Sequence, residues 1–238
     1  MDMEKSKFKA KISQISETAA LVEFGRKISE DINKKVRTFC TYLDEKPFYG
    51  MVEYVPAFTS VSVIYNPLDM KSESPYEVVK ASLDNIISKL DFSLEDEEHI
   101  VEIPVCYGGE FGQDIEQVAK INNITVDEVI KIHSEGKYLV YMIGFAPGFP
   151  YLGGMSEKIA AQRRESPRTA IPAGSIGIAG MQTGVYPIET PGGWQLIGKT
   201  PLKLFDLKRN SKSLLKAGDI VKFYPISYEE YVQLKEEE

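Results

Sequence analysis

The sequence predicts a small α+β domain over residues 1–98 followed by a β-barrel domain over residues 99–238, and three observations predict it. Apolar residues at the start of the chain recur with period two in short runs and with period 3.6 in two longer ones, in the order β-β-α-β-β-α-β, with the last strand crossing into the next domain. From residue 138 onward the apolar runs are short and Gly and Pro separate them, which suits a closed or nearly closed barrel. Between Gly144 and Pro201 lie 11 of the 18 glycines and 7 of the 13 prolines, interleaved with Phe, Tyr, Trp, Ile and Leu. A linker has the glycines without the apolar residues. Repeated use of free and fixed φ between groups that bury surface implies tightly specified turns, here the floor and walls of a compact site.

Taken in order, residues 7–15 and 20–24 read as two strands, and residues 29–44 place Ile32, Val36, Phe39, Cys40 and Leu43 on one helical face. Residues 50–57 and 60–65 read as a second strand pair. Residues 74–90 read as a second helix, with Ser74 as cap, Pro75 in the first turn, Glu77 completing a capping box, and Val79, Leu83, Ile86, Ile87 and Leu90 as its buried stripe. An acidic run at 95–98 precedes a strand at 99–106. After a loop at 107–112 come two short helices, 113–121 and 125–134, the second opened by a Thr125–Glu128 capping box and closed by Gly136 as C-terminal cap. The barrel strands are expected at 138–145, 169–171, 175–179, 184–187, 194–197, 202–205 and 219–224, and a terminal helix at 227–238.

At 238 residues, with 43% hydrophobic and 26% charged residues, the chain can bury a core without disulfides. A formal net charge of −7 argues against nonspecific nucleic-acid binding, which needs clustered cations on phosphates. No apolar run approaches the ~20 residues of a membrane span. The first residues, MDMEKSKFKAKI, lack the apolar core of a secretory signal, so a cytoplasmic location is expected. Cys40 and Cys106 are expected as buried free thiols. With only His99 and His133, a multi-histidine metal centre is not expected. Walker-type, GxSxG and HExxH motifs are absent, and AGSIGIAG has the wrong spacing and setting for a dinucleotide fingerprint. Any ATP chemistry is therefore expected to need a partner.

His133 falls on the apolar face of its helix with Val126, Val129 and Ile130. Two readings stay open for it: a hydrogen-bonded core histidine, or a general acid/base. Arg163, Arg164 and Arg168, in QRRESPRTAIP, have guanidinium forks suited to a carboxylate or phosphoryl group, or are solvated surface charges. Gln182 and Thr183 sit in GMQTGVYP, where Gly180 and Gly184 allow backbone amides to approach a ligand. Phe145, Phe149, Tyr151, Tyr186 and Trp194 are candidates to line a pocket.

The ordered set VCYGGEFGQD, EVIKIHS, GFAPGFPYLGG, SPRTAIPAGSIGIAGMQTGVYP and TPGGWQLIGKTPLKLFD closely resembles the family containing the B subunit of 5-oxoprolinase, also called the KipI or allophanate hydrolase subunit 1 family. The likeness is specific over residues 100–225 and looser before them. It implies an α+β N-terminal domain followed by a cyclophilin-like β-barrel domain. It also implies a component, inactive alone, that acts with a directly bound C subunit, together with an A subunit, in the ATP-dependent opening of 5-oxo-L-proline to L-glutamate. By the same resemblance His133, Glu110, Arg168 and Gln182 are catalytic candidates. Arg164, Thr183, Phe145, Phe149, Tyr186 and Trp194 are substrate-binding candidates, with no metal. The family name carries a second implication, an inhibitor that binds the dimerisation domain of a sporulation histidine kinase through exposed loops such as residues 145–152.

Overall fold

The first strand pairs fold as the alternation of apolar and polar residues requires. In the computed structural model, which describes residues 9–93 and 98–238, β1 (Lys11–Ser16), β2 (Ala19–Glu23), β3 (Met51–Pro56) and β4 (Ser60–Tyr65) form an antiparallel sheet in the order β1-β2-β4-β3. Ala20 and Val22 lie opposite Val63 and Val61, and all four are buried on one face. That face is closed by Val36, Phe39 and Leu43 of α1 (Glu30–Glu45) and by Val79, Leu83, Ile86 and Ile87 of α2 (Pro75–Lys89). Full burial of each large aliphatic or aromatic group contributes about 1.5–3 kcal/mol, so this face holds the sheet and its helices together. The residues at 7–8 of the first expected strand, and the acidic run at 95–98 apart from Glu98, lie outside the described residues.

Ser29 caps α1 by accepting from the Ile32 amide at 3.3 Å. Ser74, expected to do the same for α2 in a capping box with Glu77, stands at the cap position without a side-chain bond. The Glu77 amide donates to the Ser74 carbonyl instead, at 3.1 Å, and the Ser74 amide donates to Ser72 Oγ. A backbone turn there replaces the side-chain cap.

The chain divides into two units, Met1–Asp96 and Glu97–Glu238. The second contains β5 (Ile100–Tyr107), α3 (Ile115–Asn122), α4 (Val126–Ser134), β6 (Tyr138–Ile143), β7 (Pro150–Gly153), β8 (Arg168–Ile171), β9 (Ser175–Ala179), β10 (Gln182–Val185), β11 (Thr190–Gly192), β12 (Gln195–Lys199), β13 (Ile220–Pro225) and α5 (Tyr228–Glu237). Seven strands form one sheet in the order β10-β9-β12-β5-β13-β6-β7, and its two edge strands, β7 and β10, lie against each other, so the sheet is nearly closed into a barrel. Its interior is filled by Ile103, Val105, Ile178, Val185, Ile197 and Phe223, among others. A two-stranded antiparallel sheet of β8 and β11 lies outside, and Ile171 packs there with Tyr186, Leu196 and Trp194 in a separate small cluster.

Several expectations are corrected. Residues 202–205 are not a strand: after Pro201 the segment keeps one bridge, Phe205 to Ser213, and Leu204 accepts from the Leu214 amide at 2.8 Å. The strand expected at 184–187 begins two residues earlier, because the reversal uses only Gly180 and Met181 and Gly180 supplies the positive φ of +59°. The short strands β7 and β11 follow glycine- and proline-rich sequence that masks their pairing. Thr125 and Glu128 form the expected capping box. Gly136, however, has no positive φ; a Cβ there would stand 2.5 Å from Tyr138 Oη, so glycine serves close approach. The terminal helix is α5, capped by Ser227 with Glu230. Both cysteines are free; Cys106 is buried and Cys40 only half-buried, with burial pushing the Cys40 thiol up to about 12. No described helix is long and apolar enough to cross a membrane.

Candidate functional site

Period two decides which side of β10 faces the barrel interior. Val185 joins the interior core and Thr183 is buried beside it, so Gly184, between them, faces outward. Gly184 is glycine because a Cβ would come 2.9 Å from Trp194 Cζ3, and Gly177 on the neighbouring strand admits Trp194 in the same way at 3.0 Å. Trp194 thereby lies flat across two strands. Phe149 meets it edge-on with ring centroids 6.3 Å apart, and meets Tyr186, Tyr151 and Phe145 at 6.3, 5.3 and 5.6 Å. The rings enclose a pocket of ≈ 250 Å³ whose wall also includes Arg163, Gln182 and the 191–193 segment. This is smaller than the ~300–1,000 Å³ of drug-sized ligand sites and suits a small metabolite.

The polar side of the pocket is built by backbone anchors. Gly180 and Ala161 exchange amide–carbonyl bonds at 2.7 and 3.3 Å, tying the turn before Gln182 to the arginine-bearing loop. The Arg164 amide donates to the Gly193 carbonyl at 2.7 Å. Burial raises the Tyr186 phenol above its ordinary range, and the Trp194 backbone with the Arg163 and Arg168 charges draws it partly back.

Arg164 and Arg168 do not line the pocket. Arg164 Nη1 and Arg168 Nη2 donate to the same oxygen of Asp114, at 2.8 and 2.9 Å, while the other Asp114 oxygen accepts from the Leu196 amide at 2.7 Å. Asp114 is only 5% exposed and stands at the N-cap position of α3 without capping it. Its carboxylate is diverted to the arginines, so the brace was hidden in sequence behind an ordinary helix-start residue.

His133 does not line the pocket; it lies behind the β10 wall, fully buried, stacked on Phe223 with centroids 4.7 Å apart. Thr183 Oγ1 donates to the Gly177 carbonyl at 3.3 Å, which leaves it to accept from His133 Nε2–H at 2.8 Å. Nδ1 then accepts from the Tyr107 hydroxyl at 2.7 Å. Both ring nitrogens are engaged within the protein, and burial lowers the imidazole pKa to about 3, so it is neutral. Glu110 is exposed on the 108–112 turn and does not line the pocket; its charge is felt by Cys106, Lys199 and Tyr231. The fold thus brings Phe145, Phe149, Gln182, Tyr186 and Trp194 together around one cavity, with Thr183 on its wall, Arg164 and Arg168 braced nearby, and His133 and Glu110 apart from it.

The chain matches the family described as carboxyltransferase domain, subdomain C and D, over residues 10–215. It is 54% identical over 232 residues to the 5-oxoprolinase B subunit of Bacillus subtilis (strain 168), covering 95% of this chain and 97% of that one. It is 38% identical over 219 residues to the 5-oxoprolinase B subunit of Escherichia coli O157:H7, covering 91% and 96%. Among solved structures it is similar to a conserved uncharacterized protein from Pyrococcus horikoshii, with 46% identity, a TM-score of 0.56, and 92% and 99% of the two chains covered. End-to-end likeness at this identity, on a barrel whose glycines shape one aromatic pocket, means that the chain belongs to the carboxyltransferase C and D subdomain family, the family that contains the B subunit of 5-oxoprolinase.

Proposed function

We propose that the chain is the B subunit of an ATP-dependent 5-oxoprolinase, a cytoplasmic hetero-oligomer in which it binds the C subunit directly and works with the A subunit to open 5-oxo-L-proline to L-glutamate. The observation that carries this reading is the 54% identity, over nearly the whole of both chains, to a protein named as the B subunit of 5-oxoprolinase. In this reading the barrel is cyclophilin-like and the aromatic pocket receives the lactam.

The residues present support a division of labour. Phe149 and Trp194 offer flat apolar surface to a five-membered ring, and Gln182, on the exposed rim, offers an amide N–H to the lactam oxygen, where negative charge develops when water adds to the carbonyl. Arg164 and Arg168, fixed on Asp114, hold the arginine-bearing loop in register. His133, neutral and doubly bonded, pins β10 from behind and so positions Gln182 through Thr183. ATP hydrolysis supplies the driving force for ring opening by the complex as a whole. A pocket of ≈ 250 Å³ with one cationic side chain does not fit a nucleoside triphosphate, so we place ATP elsewhere in the complex, and no step at this pocket runs through it.

The test is glutamate release from 5-oxo-L-proline and ATP by this chain mixed with its A and C partners, with each component omitted in turn. Glutamate is expected only in the complete mixture. A stable complex that releases none would sink the assignment of substrate.

A further inference from the structure

Three arginines share the loop QRRESPR, and their surroundings differ. Arg164 and Arg168 each give one N–H to Asp114, Arg168 Nη1 stays buried without a partner, and neither lines the aromatic pocket. Arg163 has no carboxylate or carbonyl partner among the described residues, yet the backbone around it is pinned on both sides. Ala161 is bonded to Gly180, the Gln162 carbonyl accepts from Gln195 Nε2 at 2.9 Å, and the Arg164 amide donates to Gly193. The fold fixes where this side chain starts and leaves its guanidinium free. Of the side chains lining the aromatic pocket, Arg163 is the one that carries a charge at neutral pH.

We infer that Arg163 is the specificity-determining residue of this pocket, its guanidinium receiving the carboxylate of a small monoanionic lactam whose ring lies on Phe149 and Trp194 and whose amide faces Gln182. The inference rests on the function proposed above and deepens it. Asp114 offsets one of the two charges of Arg164 and Arg168, and Glu165 of the same loop balances the other, so the pull on an anion rests on Arg163 itself. A planar fork matches a carboxylate through two parallel N–H···O bonds, which a lysine in the same place cannot make. A neutral lactam gains the aromatic contacts and forgoes this pair.

The chain has one tryptophan, and it lines this pocket, so Trp194 fluorescence reads binding directly. The full chain is titrated with 5-oxo-L-proline, with 2-pyrrolidinone, which is the same ring without the carboxylate, and with inorganic phosphate. Arg163→Gln is expected to raise the Kd for 5-oxo-L-proline at least ~10-fold, as fits loss of a charged hydrogen-bonded pair, while the Kd for 2-pyrrolidinone stays within about 2-fold. Arg163→Lys, which keeps the charge and loses the fork, recovers part of the loss. Unchanged 5-oxo-L-proline binding in Arg163→Gln overturns the inference and leaves the proposed function standing, because glutamate release by the assembled complex is scored separately. Phosphate that displaces 5-oxo-L-proline at a comparable Kd overturns the preference for a carboxylate. Failure of both lactams to perturb Trp194 overturns the pocket as the lactam site.

Discussion

At the scale of single residues, His133 is the clearest case of position overruling chemistry. Its helical spacing showed that it faces the core, but spacing cannot reveal that Tyr107 and Thr183, 26 and 50 positions away, occupy both ring nitrogens. The neutral, buried ring has a measurable consequence. In the unfolded chain His133 takes up a proton near its ordinary pKa of ~6.5; in the folded chain it does so only near 3. Its contribution to stability is therefore complete above about pH 6.5 and is lost as the pH falls toward 3, at up to about 1.4 kcal/mol per pH unit. Urea unfolding between pH 7.5 and 5 should show this decline, and His133→Gln, uncharged throughout, should remove it from the difference curve. At pH 7.5 the same variant should be less stable by about 2–4 kcal/mol, from poorly satisfied Tyr107 and Thr183 hydroxyls and lost stacking. An equal pH slope in both proteins would contradict the buried neutral ring.

At the scale of elements, local grammar was legible where local bonds decide the outcome. The Thr125–Glu128 box opens α4, with the Glu128 amide on Thr125 Oγ1 at 3.2 Å and the Thr125 amide on Glu128 Oε2 at 2.8 Å. Thr125→Ala should cost about 1 kcal/mol in chemical denaturation. The same grammar misled at Ser74 and Gly136, where a backbone turn and the Tyr138 hydroxyl, donating to the His133 carbonyl, took over the part assigned to a cap. The loop joining β6 to β7 carries a feature that sequence could not signal: Phe145 adopts φ +67° and is 76% exposed, although an aromatic residue rarely occupies that conformation. Such strain costs on the order of 1–3 kcal/mol and persists at binding sites. Phe145→Gly should leave thermal stability unchanged or raised, and weaken lactam binding about 2–10-fold by removing one edge-to-face ring from the pocket lip. A stability loss without a binding change would assign Phe145 to the fold alone.

At the scale of the whole molecule, two separate hydrophobic cores serve the two units. Phe39→Ala, at a fully buried site in the first, should destabilise that unit by about 3–5 kcal/mol. Hydrogen exchange should then quicken at Val61 and Val63 while protection at Ile197 and Val221 is retained; uniform loss across both would show one cooperative unit. The helices and most strands of both units could be read from the chain because their causes are local: alternation in β2 and β4, a 3.6-residue stripe in α1 and α2, turns at Gly and Pro. The aromatic members of the pocket were legible as a group for a related reason, since bulky rings set among glycines have few other places to pack. Sequence by itself thus determined an α+β segment, a barrel and a cluster of rings concentrated between residues 144 and 194. Tertiary structure decided which of three adjacent-looking arginines faces that cluster. Arg163 rather than Arg164 or Arg168 lines the pocket because Asp114, some 50 positions earlier, holds the other two while Gly180 and Gly193 fix the loop between them. Contacts between residues so far apart in the chain leave no periodicity to read; they exist only once the barrel has closed.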